Sequence, residues 1–157
     1  MVERSIFTAR EADFLKALVD NEVDFIIVGL SAALLQGAPA VTQDIDLWVR
    51  DTGDSGFRRA LKKVGAAYVP QVGLNPPMLA GDSVRLFDLV AHMSGLGSFE
   101  EESEHTLRVD VEGVEVPVLA LDRIIASKEA ANRDKDRLVL PVLRGTLLTL
   151  KALDPEE

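Results

Sequence analysis

The sequence predicts an α/β fold of the α+β kind: a single domain in which a mixed β-sheet is flanked by helices. Three observations lead there. Apolar residues recur at helical spacing near both ends of the chain, and short apolar runs of strand length lie between them at 23–29, 44–50 and 84–91. Helical and strand patterns alternate, which places helices against one sheet. The 157 residues are 47% apolar, and no repeat, low-complexity tract or Pro/Ser-rich linker divides them, so residues 1–157 read as one domain with its core over about 20–140.

Each element has its own signal. Thr8-Ala9-Arg10-Glu11 has the spacing of a capping box, and Phe14, Leu15, Leu18 and Val19 continue it as a helix over about 9–21. Val23–Gly29 is a buried strand. The chain turns at Gly29 into a short helix from Ser31 to Gln36, which Gly37 and Pro39 end. Asp44–Arg50 is the next strand, and Phe57–Val64 a helix with Leu61 and Val64 on one side and four basic residues largely on the other. Proline and glycine at 70–82 predict a loop. Val84–Ala91 is an apolar strand interrupted by Arg85 and Asp88, and segments 105–112 and 114–119, split by Gly113, form a hairpin. Two helices, Leu121–Asn132 and Asp136–Lys151, close the chain, with a kink expected at Pro141.

Composition narrows the function. Seventeen basic and twenty-six acidic residues give a net charge of −9, which repels polyanions at long range and argues against an extended nucleic-acid surface. Without cysteine there is no disulfide framework, thiolate nucleophile or zinc ribbon, and two histidines leave little for a histidine-rich metal centre. The longest apolar run, Phe25–Leu35, is too short to span a bilayer, which takes about 20 residues. The expected location is cytoplasmic, with no membrane association.

The strongest chemical feature is Asp44-Ile45-Asp46. On a strand, residues two apart share a face, so both carboxylates point one way while Ile45, Leu47 and Val49 point to the core. Like charges at that spacing call for a cation, and Mg²⁺ characteristically takes one or two carboxylates plus substrate phosphates. Asp88 lies on a later, otherwise apolar strand, where an unpartnered acid is costly. A third metal ligand would give it a role. The plain alternative is that Asp44 caps a turn, Asp46 pairs with an arginine and Asp88 bridges to Arg85 or Arg108.

Gly29-Leu30-Ser31 sits at a strand-to-helix junction, where backbone N–H groups and the serine hydroxyl can receive a phosphate. One residue separates Gly29–Ala33 from the G-x-S-x-G nucleophile elbow, so a serine hydrolase using His92 or His105 is a competing reading. Lys128, Arg133, Lys135 and Arg137 cluster near a helix junction and could neutralise a triphosphate, or form a solvated face with pairs such as Glu129–Arg133. The acidic run Glu100–Glu104 reads as a solvated loop or helix face. No P-loop, GxGxxG or HExxH pattern is present.

Taken in order, VGLS at 28–31, DIDL at 44–47 and an aspartate on a later strand resemble the DNA polymerase β-type nucleotidyltransferase superfamily. The resemblance covers roughly residues 20–140. LDRIIASKEAANRDKD at 121–136 is similar to the closing helix motif of small bacterial nucleotidyltransferase-like proteins, some of them in toxin-antitoxin systems. The resemblance implies a nucleotidyltransferase-like fold, Gly29 and Ser31 at the nucleotide phosphates, and Asp44, Asp46 and Asp88 on one or two Mg²⁺ (or Mn²⁺) ions. It also implies Lys128 and Asp136 near the triphosphate. The chain departs from the pattern at Leu30, where Gly or Ser is common. The implied activity is transfer of a nucleoside monophosphate from a nucleoside triphosphate to a hydroxyl of a protein, RNA end or small molecule, with acceptor recognition resting on a protein partner or homo-oligomer. The alternative is a catalytically inactive interaction module, such as an antitoxin-like partner.

Overall fold

The computed structural model describes residues 6–153; residues 1–5 and 154–157, which the single-domain reading includes, lie outside the described residues. Helix α1 (Ala9–Asp20) starts at the expected capping box, where the Glu11 carboxylate accepts from the Thr8 backbone N–H at 3.2 Å and from the Thr8 hydroxyl. Its apolar stripe buries Phe14, Leu15 and Leu18. Strand β1 (Phe25–Val28) follows with all four residues buried, so both faces of this central strand are covered.

Helix α2 (Gly29–Leu35) begins directly at the strand's end, and β2 (Ile45–Val49) returns antiparallel to β1. Helix α3 (Ser55–Lys63) is capped by Asp54, whose side chain accepts from the Gly56 N–H at 3.3 Å. Strands β3 (Ala67–Val69) and β4 (Met78–Ala80) then form a separate two-stranded ribbon. Part of the segment expected to be a loop is therefore strand β4. Strand β5 (Phe87–Val90) is shorter than the run 84–91, because Asp82–Val84 form a 3₁₀ turn that buries Val84.

Helix α4 (Phe99–Glu102) leads to the expected hairpin, β6 (Thr106–Val111) and β7 (Val114–Leu119). Helices α5 (Leu121–Ala131) and α6 (Asp134–Ala152) close the chain, and α6 continues through Pro141. The main sheet is mixed, with strand order β5-β2-β1-β7-β6. β1 runs antiparallel to β2 and parallel to β7, while β2 runs parallel to β5. Six α-helices flank it among the described residues. The α/β expectation holds.

One member of the acidic run is not solvated. Glu102 is buried, accepting from Arg123 Nε and Nη2 at 2.8 and 2.6 Å and from the Gly97 N–H at 2.9 Å. The Arg123 hydrogen bonds, helped by the Gly97 N–H, hold its pKa below the ordinary glutamate range against the effect of burial. This fork ties α4 to α5. Glu102→Ala is expected to cost about 2 to 3 kcal/mol, read as a lower urea midpoint at unchanged slope. An unchanged midpoint would mean that the fork is not structural.

Candidate functional site

The site lies where β1 gives way to α2 and where β2 and β5 run side by side. In the parallel β2–β5 pair, Asp46 stands directly opposite Asp88. Strands in a sheet lie about 4.8 Å apart, and residues in register share a face, so the two carboxylates project together. Asp44 sits one residue before β2 rather than on it, in a turn where Thr42 Oγ1 takes part through its donor to the Asp44 carbonyl at 3.2 Å. The expectation that a strand alone aligns Asp44 with Asp46 is thereby corrected. All three aspartates nevertheless line one cavity of 590 Å³.

Among the described residues, no buried side-chain polar atom lacks a hydrogen-bond partner. Among the described residues, neither the Asp46 nor the Asp88 carboxylate accepts a hydrogen bond or forms an ion pair. The arginine bridges weighed as the plain alternative do not form. Burial first, and then the charge of Asp88, push the Asp46 pKa up to about 6; Asp44 adds to the rise, and Lys128 and Lys135 oppose it. Burial, and then Asp44, raise Asp88 as well.

Gly29 has φ +67°, in the left-handed region, and a Cβ built there would lie 2.1 Å from Asp46 Oδ2. The glycine therefore makes room for the carboxylate. Gly29→Ala is expected to cost about 1 to 2 kcal/mol from the backbone conformation and to turn Asp46 out of place. Thermal unfolding reads the first effect, and nucleotide titration the second.

Ser31 is fully buried: its hydroxyl donates to the Val28 carbonyl at 2.8 Å and accepts from the Asp46 N–H at 3.1 Å. It does not line the cavity. The structure gives Ser31 a tie that pins the Asp46 backbone to the end of β1. The same bonds leave no base on the hydroxyl, so the serine-hydrolase geometry does not form. His92 lines the cavity without contacting Ser31.

Part of the same cavity lining is basic. Lys128, Arg133 and Lys135 form it, and Asp136 lies behind them with no solvent exposure. Asp136 accepts from Arg133 Nε at 2.7 Å, Arg133 Nη2 at 3.1 Å, the Arg133 N–H at 3.0 Å and Lys128 Nζ at 3.4 Å. Burial alone raises its pKa, but these partners outweigh it and bring it down to about 2. Asp136 thus holds both cations at the cavity while closing the first turn of α6 from its third position. The pair Glu129–Arg133 is not formed: Glu129 bonds Arg144 at 2.8 Å instead. Arg137 is occupied outside the cavity, bonding the Asn132 carbonyl at 2.6 Å and pairing with Asp134.

No protein-family model matches the sequence, and no curated protein matches it. The structure is similar to that of ANT(2'')-Ia in complex with adenylyl-2''-tobramycin, with a TM-score of 0.61 at 13% identity over 89% of this chain and 90% of that one. The chain has a nucleotidyltransferase fold. A solution structure of ANT(2'')-Ia aligns with a TM-score of 0.53 at 11% identity, over 94% of this chain and 96% of that one. An antigenic nucleotidyltransferase-like protein from Paracoccidioides brasiliensis aligns with a TM-score of 0.50 at 17% identity, over 94% and 88%. At these identities the likeness is one of fold.

The residues of this nucleotidyltransferase fold suit a hard divalent cation. Asp46, partly buried, and Asp88, exposed at the cavity, offer oxygen ligands whose pKa values are raised by desolvation and by neighbouring carboxylates. Among the described residues no three metal-binding side chains close into a cage. Mg²⁺ does not need one, since it keeps several waters and takes phosphate oxygens beside one or two carboxylates. No helix among the described residues is long and apolar enough to cross a membrane.

Proposed function

We propose that this chain is a Mg²⁺-dependent nucleotidyltransferase that moves a nucleoside monophosphate from a nucleoside triphosphate to a hydroxyl group. One observation carries the reading: two carboxylates in register, neither hydrogen-bonded nor ion-paired, share a single cavity with Lys128, Arg133 and Lys135. Such a cavity holds negative charge both through a cation and through Lys128, Arg133 and Lys135. The nucleotidyltransferase fold of the structural neighbours supports the same reaction class.

The chemistry is an in-line displacement at the α-phosphorus. The acceptor oxygen forms a bond to phosphorus, the bond to the β-bridging oxygen breaks, and pyrophosphate leaves. A divalent cation held at the carboxylates would supply charge stabilisation to the reacting oxygens. Asp46 and Asp88 would hold that metal, Asp44 lines the same cavity beside them, and Asp88 or Asp46 would accept the proton of the acceptor hydroxyl. Lys128 and Arg133, steadied by Asp136, take the triphosphate, while Gly29 and Leu30 present backbone at its edge. Ser31 acts by positioning Asp46.

The test is calorimetric titration of each nucleoside triphosphate, with and without Mg²⁺ or Mn²⁺, into the protein and an Asp44→Asn, Asp46→Asn double variant. Metal-dependent binding that the variant loses is the expected result. Absence of binding under every condition would remove the enzyme reading and leave the partner-binding module.

A further inference from the structure

A second cleft of 750 Å³ shares Asp46, Asp88 and Val90 with the cavity described above. The ribbon of β3 and β4, with the segment joining them, builds its outer wall from Val69, Val72, Pro76, Pro77 and Met78, and β5 contributes Phe87 and Leu89. Among the described residues, Asn75 and the two shared aspartates are its only polar side chains, and no lysine, arginine or histidine lines it. Val72 and Met78 are 63% and 54% exposed, so two apolar side chains stand open to solvent beside the reacting carboxylates.

We propose that this cleft binds the acceptor, and that the acceptor is an uncharged alcohol or phenol on an apolar, ring-sized body. The inference rests on the nucleotidyl-transfer reading above. Charge and surface select the class. An anionic acceptor would find no lysine, arginine or histidine in the cleft lining to pair with, because a cation at the shared aspartates serves the triphosphate. A polycationic acceptor would find as counter-charges only the carboxylates that the metal occupies. An apolar body gains by covering aliphatic and proline surface, and the volume is that of a small-molecule site. A hydroxyl at its inner end reaches the shared edge, where Asp46 and Asp88 lie between it and the nucleotide. The acceptor O–H gives its proton to a carboxylate and its oxygen to the α-phosphorus, with pyrophosphate as the leaving group. The products are the nucleotidyl ester of the alcohol and pyrophosphate.

The probe is 2-naphthol, with tobramycin and glucose 6-phosphate as the cationic and anionic comparisons. Naphthol is first titrated into the nucleotide-free protein and followed by the methyl NMR signals of Val69, Val72 and Met78. Saturable shifts at these methyls are expected, and their absence would overturn the inference whatever the nucleotide does. Acceptor activity is then measured as pyrophosphate release, with Mg²⁺ and the triphosphate that calorimetry shows to bind. Naphthol is expected to serve as acceptor at least tenfold better in kcat/KM than either comparison. The near-isosteric double variant Val72→Thr, Met78→Gln, at exposed positions, is expected to lower naphthol affinity about tenfold while leaving triphosphate affinity within twofold. A loss of triphosphate affinity instead would assign the cleft to the nucleobase, and preference for tobramycin would assign it to a cationic acceptor; either overturns the inference. Failure of every triphosphate to bind counts against the nucleotidyl-transfer reading, and the naphthol titration, run without nucleotide, still decides the cleft.

Discussion

Asp46→Asn is expected to lower nucleotidyl transfer at least a thousandfold, a loss of about 4 kcal/mol of transition-state stabilisation. The same substitution is expected to make the metal-free protein more stable. Burial and Asp88 raise the Asp46 pKa from 3.8 to about 6. Between these values the folded chain binds more protons than the unfolded one, so wild-type stability falls as pH rises from about 4 to about 6. Above that window the full cost of the charge is present. Asparagine removes it, and the gain at pH 7.5 is on the order of 2 kcal/mol, set below the full two-unit value because the side chain is partly open to solvent. Urea unfolding of both proteins at pH 5 and 7.5, without divalent metal, reads this directly. Parallel stability profiles for wild type and variant would show that the carboxylate carries no such strain. A loss of activity accompanied by a loss of stability would make Asp46 a structural residue.

Asp136→Ala is expected to give the largest stability loss, about 3 to 5 kcal/mol, since it strips a fully buried carboxylate from two cations and from the first turn of α6. With a folded pKa near 2 and an ordinary value of 3.8, the contribution of Asp136 is complete above about pH 4 and is lost as pH falls toward 2. This is opposite in sign to Asp46. Wild type is therefore expected to be most stable, without metal, in the window around pH 4 to 5, and Asp136→Ala to lose most of the decline on the acid side. Unfolding midpoints across pH 2.5 to 7.5 test both limbs. A destabilisation under 1 kcal/mol would show that the bonds to Arg133 and Lys128 contribute little net stability, leaving Asp136 with orientation of the cations alone.

The two acids mark what could be read before the fold was known. Thr8 and Glu11 announce the start of α1 because a capping box is local in sequence, and FIIV at 25–28 announces β1 because a run of buried apolar residues is local too. The spacing of Asp44 and Asp46, and the acid inside the run 84–91, likewise pointed to charge chemistry. Each signal lies within a few residues. The β3–β4 ribbon was not legible, because strands of three residues beside prolines have too little alternation to stand out from a loop. The place of Ser31 was not legible either, since a serine after a strand reads equally as an anion donor or as a buried tie, and only the approach of β2 makes it the tie.

The sequence by itself determined the α/β class, the order of most elements and the set of acidic and basic residues available for chemistry. It could do so because helix caps, apolar period and side-chain charge are properties of short segments. Tertiary structure alone decided which of those residues meet. Parallel pairing of β2 with β5 put Asp46 opposite Asp88, the docking of β2 on α2 required Gly29 to leave space for a carboxylate, and the packing of α6 on α5 buried Asp136 between Arg133 and Lys128. The β2–β5 and α2–β2 contacts join segments separated along the chain, and their geometry follows from the burial of a shared core rather than from any local preference.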